Sequence, residues 1–315
     1  ASAKPTTAVE QQVKTESERL NDWFAAKYEE QLLSSPIMLT FLGRKERYNE
    51  INDMSEAEEK RQLAWQAETV SELKSTFDYE KLNDEAKVSY DIWVYQYEQA
   101  LEGQQFKKNA YVFTQMQGIQ AFAAQFLINF HKVDEESDMQ AYNTRIDGIS
   151  TAISVLLKSA QDNANYGVRP PRFAYDGVIE QATALITGAP FSESETDSAL
   201  WADAKRKIAA LVEAKKIDQA RADELQAQTK KALMERFLPT YQALVAWFEK
   251  DIANTDEIAT GVRDQPNGEA YYNYMIKTST TTGLTSNEIH DIGLSEVARI
   301  TKEMEQIKDK VGFEG

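Results

Sequence analysis

Arg263 and the tyrosines Tyr271, Tyr272 and Tyr274 flank the turn signal Pro266-Asn267-Gly268. A tyrosine offers a ring to stack and a hydroxyl to donate, which suits a groove that grips a peptide or a sugar. An arginine just ahead of such rings can hold a substrate carboxylate through two parallel hydrogen bonds. Plainer roles compete: amphipathic packing at a helix start for the tyrosines, and a surface salt bridge for Arg263. These four residues are the substrate-groove candidates.

No residue qualifies as catalytic or metal-ligating by pattern. His131 and His290 are the two histidines, and neither has a second histidine four residues on, so no H-E-x-x-H helix is present. Each reads as an ordinary core or surface residue. G-x-S-x-G elbows and S-x-x-K pairs are absent, as are G-x-x-x-x-G-K-[ST] and G-x-G-x-x-G phosphate loops. The chain has no cysteine, which excludes disulfides, thiolate metal sites and cysteine nucleophiles. With 51 Asp and Glu, carboxylate pairs at helical spacing are too common to single one out as an acid–base pair.

The acidic residues outnumber the 35 Lys and Arg and leave a net charge of −16. That field repels phosphate backbones, so nucleic acid and anionic membranes are poor partners. The charges are scattered and of both signs, as on solvated helix faces, and no EF-hand calcium loop is present. A 42% share of hydrophobic residues rejects a disordered reading, and 315 residues suffice for a sizeable core. No apolar run is long enough to span a bilayer. The N-terminus, Ala1-Ser2-Ala3-Lys4, lacks an initiator Met and an apolar signal core. It fits the mature end of an exported protein or an arbitrary boundary equally well.

The elements that must position the groove residues are helices. Only 13 Gly and 7 Pro punctuate the chain. Val9, Val13, Leu20, Phe24, Tyr28 and Leu32 mark a first helical face, which Ser35-Pro36 ends. Ser55 with Glu58 reads as a capping box, and Asn83 as a cap. The Gln-rich stretch from Tyr111 to Phe130 is expected to be a helix buried on several sides. Arg145 to Ala160 carries Ile146, Ile149, Ile153 and Leu156 on one stripe. Tyr166-Gly167-Val168-Arg169-Pro170-Pro171 is a rigid loop, followed by helices from Phe173 and around Leu200. From Asp218 a long helix keeps its phase across Pro239, which predicts one kinked helix rather than two. Thr285 with Glu288 is a strong capping box, and Ile292, Val297, Ile300, Met304 and Ile307 continue the stripe behind it. The expectation is an all-α chain: a flexible tail over 1–8, then a single domain over 9–315, an extended array of mostly antiparallel helices.

Five segments carry a resemblance to a known family. They are Ser35-Pro36 with Leu42-Gly43; Met116-Gln117-Gly118-Ile119-Gln120; Tyr142 through Arg145 with Tyr166 through Phe173; Pro266 through Glu269 with Tyr272 and Thr278 through Leu294; and Val311 through Gly315. In order and spacing the chain resembles the bacterial "domain of unknown function 885" proteins, which look like helical zinc metallopeptidases of the gluzincin type. The resemblance implies a full-length protein roughly twice as long. It implies an H-E-x-x-P-G-H zinc motif in the second half, where two histidines ligate zinc and a glutamate activates water. No residue of this chain matches that motif, so none is carried over. The resemblance also implies that the chain is truncated within the family's fold, and that zinc belongs to the missing C-terminal half. Many members look like exported or lipid-anchored envelope proteins, which favours a periplasmic or membrane-anchored lipoprotein, with an anchor upstream of residue 1, over a cytoplasmic protein.

Three readings follow. The first is the N-terminal helical part of a carboxypeptidase-like zinc metallopeptidase, inactive alone, whose partners are a peptide substrate and the missing half of its own fold. The second is a non-enzymatic helical binding or scaffold module of the cell envelope. The third is a helical bundle that binds a metal through Glu, Asp and one His. The first reading predicts an exposed apolar patch along Ile289–Val311, and a dimer formed through it.

Overall fold

A computed structural model describes residues 13–313, and the expected tail over 1–8, the helix start at Val9 and the terminal Glu314-Gly315 lie outside that range. The described chain is all-α, with no strand among its residues beyond one isolated bridge between Ala189 and Asp197. Twelve α-helices follow one another. The first four are α1 (Glu16–Leu33), α2 (Pro36–Phe41), α3 (Glu56–Thr76) and α4 (Asp84–Gly103). The middle six are α5 (Ile119–Phe130), α6 (Glu136–Tyr166), α7 (Arg172–Leu185), α8 (Ala199–Glu213), α9 (Gln219–Ala232) and α10 (Leu238–Asp251). The last two are α11 (Gly268–Thr280) and α12 (Ser286–Val311).

Local chemistry sets the boundaries. Thr15 caps α1 in a full capping box with Glu18, and Asn83 caps α4 by accepting from the Ala86 amide. The Ser55 hydroxyl accepts from the Glu58 amide, but the box does not close. Asp53 has taken the Ser55 amide, and the Glu58 carboxylate turns to Arg61 and Gln62 instead. At Pro239 the helical run stays unbroken, as expected. The five residues Leu233–Phe237 widen into a π turn, closed by the Leu238 amide donating to the Leu233 carbonyl. That turn lies directly ahead of the residue whose backbone donor is missing. Leu233, Phe237, Tyr241, Leu244 and Phe248 therefore stay on one buried face.

Two hydrophobic cores result. The larger joins α5 through α10 around the long α6, with Tyr142, Ile146, Ile149 and Ile153 at its centre. The smaller joins α1, α3 and α4 through Leu20, Leu73, Phe77 and Leu82, with Trp23, Phe24 and Trp93 packed against them. Polar side chains tie the larger core to α2 and the segment that follows it. Arg145, fully buried in α6, donates to the carbonyl of Glu50, the carbonyl of Pro36 and the hydroxyl of Thr40. Its third nitrogen donates to Nδ1 of His131 at 2.9 Å.

The helix expected over Tyr111–Phe130 is shorter than the sequence suggested, beginning at Ile119. Residues 111–118 form an irregular strap whose carbonyls are claimed by side-chain amides. Gln120 Nε2 donates to the Thr114 carbonyl at 2.8 Å, and Gln181 Nε2 to the Gln115 carbonyl at 2.7 Å. A Cβ at Gly177 of α7 would lie 2.4 Å from that of Gln115, so the strap needs a glycine there to lie flat.

Candidate functional site

The irregular strap makes the candidate site. With the preceding residues it edges a groove of about 960 Å³, bounded by the start of α3 and the last turns of α6. Met54, Val112 and Leu156 supply apolar surface to it, and Tyr111 and Tyr166 supply rings. Tyr111 also lines a second hollow of about 220 Å³, beside Arg169, Pro170 and the loop 254–265. One tyrosine thus lines both recesses.

Each wall is anchored. The buried Asn109 amide donates to the Pro266 carbonyl at 2.8 Å and to Gln265 Oε1 at 3.2 Å, tying the strap's start to the loop before α11. Asn163 of α6 donates to the Ala110 carbonyl. Gly167 ends α6 at φ +101°, where a side chain would be strained, and Pro266 packs 3.3 Å from the position of its absent Cβ. Arg169 grips Asp251 with two hydrogen bonds of 2.8 and 3.1 Å, and the Tyr175 hydroxyl donates to the same carboxylate at 2.8 Å. Burial pushes the Asp251 carboxyl up. The bonds from Arg169, Asn254 and Tyr175 outweigh burial and hold it below the ordinary value. Arg169 is therefore a fixed cation at the rim of the smaller hollow.

The groove's electrostatics are mixed. Lys107 bridges to Glu56 at 2.7 Å, and Lys107 with Lys60 holds the Glu56 carboxyl down at about 2. Lys108 lies 5.4 Å above the Tyr166 ring and forms no ion pair among the described residues. The Gln265 side-chain nitrogen, in the wall of the smaller hollow, is buried without a hydrogen-bond partner. Hydroxyls, an orphaned amide and an apolar floor suit a ligand with carbonyls and amides, and Glu56, Glu59 and Asp162 line the larger groove together with Lys107 and Lys108. No group of three or more His, Cys, Asp or Glu side chains among the described residues could hold a metal ion, so these residues do not fit zinc.

None of the four groove candidates lines either recess. Tyr271 and Tyr274 pack on Phe106, with ring centroids 5.8 and 5.1 Å away. The Tyr274 hydroxyl donates to the Gln99 carbonyl, and Gly103 leaves it room. Burial, then the phenols of Tyr111 and Tyr274, raise the Tyr271 hydroxyl. Tyr272 is exposed on α11. Arg263 is exposed and forms no ion pair among the described residues, next to Asp264 and Gln265 of the smaller hollow. Tyr111, Lys108 and Arg169 are the residues the sequence reading passed over. Their signal was the loss of helical phase after Lys107-Lys108-Asn109 and the stiff turn before Pro170-Pro171. His131 lies in the core and His290 on the exposed face of α12.

Fold and groove define a class: an all-helical protein with an open groove on its surface. The chain belongs to the family described as "Bacterial protein of unknown function (DUF885)", whose model matches residues 36–315. Its fold is similar to that of the crystal structure of the "putative lipoprotein from Colwellia psychrerythraea", at a TM-score of 0.75 and 17% identity. The match covers 96% of this chain and 53% of that one, so the chain spans about half the length of that solved structure. No curated protein matches the chain.

Proposed function

We propose that the chain is the N-terminal helical part of a zinc metallopeptidase-like protein and forms one wall of its peptide cleft. The Tyr111 groove carries this reading. It measures about 960 Å³, is mixed in polarity and has Lys108 on its border, which suits a peptide with a free carboxylate. Zinc and the water-activating glutamate belong to the part of the protein beyond Gly315, and this chain's own residues bind and orient substrate. The likeness to a lipoprotein supports an exported, membrane-anchored setting.

The test has two arms. Fluorescence titration with a short peptide bearing a free carboxylate should saturate, and Tyr111→Ala should abolish saturation. Added zinc should give no peptide hydrolysis by this chain. Turnover that a chelator removes would refute the assignment of the metal site elsewhere. A non-enzymatic envelope scaffold is the second reading. An in-frame H-E-x-x-P-G-H in the coding sequence after residue 315 decides for the peptidase.

A further inference from the structure

α1, α3 and α4 form a three-helix finger, and the bonds along it show which end is which. Trp65 of α3 donates to Glu30 near the end of α1, and Trp23 of α1 donates to Glu72 near the end of α3. Trp93 of α4 donates to Thr69 of α3 at mid-length. The start of α1, the end of α3 and the start of α4 therefore share an outer tip. The smaller core, Leu20, Leu73, Phe77, Leu82 and Ala86, lies at that tip and shares no residue with the larger core. Polar bonds close the tip on itself. The Asp78 amide donates to Glu16, and the Asn83 amide to the Ser17 hydroxyl. The finger's helices pack on one another and, through α1, on α2, with no substantial packing on α5–α10.

Every chain crossing between the finger and the larger body falls at the root: at Ser34-Ser35, over residues 42–55 and over residues 104–110. The joint there is made of loops and polar bonds. Arg44 binds Glu29 at 2.6 Å, Arg47 donates to the Leu33 carbonyl at 2.7 Å, and Asn52 donates to the Ser35 hydroxyl at 3.0 Å. α11 braces the root through Tyr274 to Gln99 and Lys277 to Glu102. Two bodies with separate cores and a joint of this kind move relative to one another unless a large hydrophobic interface holds them. The larger groove opens at the root. Glu56 and Glu59 of α3 line it from the finger, and Leu156, Asp162 and Tyr166 of α6 from the larger body. The Lys107–Glu56 pair, at 2.7 Å, joins α3 to the segment that leads into the larger body.

We infer that the finger swings on its root and so sets the width of the larger groove, with the Lys107–Glu56 ion pair as the latch of the narrow state. An exposed ion pair is worth about 0–1 kcal/mol, so the latch biases the swing rather than forbidding it. The swing concerns the shape of the groove and does not depend on what the groove binds.

The chain has no cysteine, so spin labels go only where a cysteine is introduced. Double electron–electron resonance between Lys74→Cys at the exposed tip and Glu213→Cys on the exposed face of α8 reads the swing. Lys74 lies about 27 Å along α3 from Glu56, so a tilt of about 10° moves it by about 5 Å. Lys107→Glu puts a third carboxylate beside Glu56 and Glu59 and should shift or broaden the distance distribution by about that much. Lys107→Arg keeps the cation and should keep the narrow distribution. A second label pair, Lys74→Cys with Glu98→Cys, lies within the finger and should read the same distance in every variant. A Lys74–Glu213 distribution that Lys107→Glu leaves unchanged would overturn the proposal. Lys107→Arg behaving like Lys107→Glu would overturn the latch, and a broadened distance within the finger would overturn its swinging as a rigid body.

Discussion

Acid should unfold this protein through His131 before its surface carboxylates matter. The imidazole is 1% exposed. Its Nε2 lies 2.8 Å from the Asp138 carbonyl and so carries the hydrogen, which leaves Nδ1 to accept from Arg145. Tyr48 stacks on one face with ring centroids 4.2 Å apart. Protonating Nδ1 would break the Arg145 bond and set two cations together in the core. Burial is the largest cause and the Arg145 and Lys207 charges add to it, holding His131 down at about 3 against an ordinary 6.5. The folded value is depressed, so the stabilisation is complete above the unfolded value and is lost as the pH falls from 6.5 toward 3. Linkage between those two values gives a loss of about 2 kcal/mol between pH 7 and pH 5, and about 3 kcal/mol by pH 4. Urea unfolding at a series of pH values measures it. His131→Asn keeps an acceptor for Arg145 without a titrating ring, and its stability should fall by about 2 kcal/mol less than wild type over the same two-unit step. Parallel stability curves for the two proteins would refute the assigned tautomer and the buried neutral imidazole together.

Other perturbations test the rest of the structure. Arg145→Ala orphans acceptors on His131, Thr40, Glu50 and Pro36 at once, and should lower the urea midpoint by the equivalent of more than about 3 kcal/mol. Asp203→Ala strips the carboxylate from the buried Lys207 and from the Tyr142 hydroxyl, and should cost about 3–5 kcal/mol by the same measurement. Thr285→Ala removes the cap of α12, and hydrogen exchange should show its first-turn amides opening more easily by about 1 kcal/mol, with the core amides unchanged.

Much of this fold was legible because helices announce themselves locally. The caps at Asn83 and Thr285, the stripe through Ile146 and the phase held across Pro239 are properties of neighbours in sequence, and each appears where it was expected. The uncovered stripe on α12 was legible too, since a repeating apolar spacing is written residue by residue. The groove was not. Residues 111–118 carry helix-compatible side chains, and only Gln120, Gln181 and the missing side chain at Gly177 pull them into a strap. Those partners converge from two helices, α5 and α7, and no local pattern encodes their meeting. The unclosed box at Ser55 has the same cause, since its amide went to Asp53 and its glutamate to Arg61 and Gln62.

By itself the sequence determined the helices, their caps and the acidic surface, because these depend on contacts within a turn or two of the chain. The tertiary structure alone decided that Tyr111 lines two hollows, that Arg169 is locked by Asp251, and that His131 must stay neutral beside Arg145. Each of those depends on burial and on partners between 14 and 82 residues away in the chain, and desolvation exists only once the helices have packed.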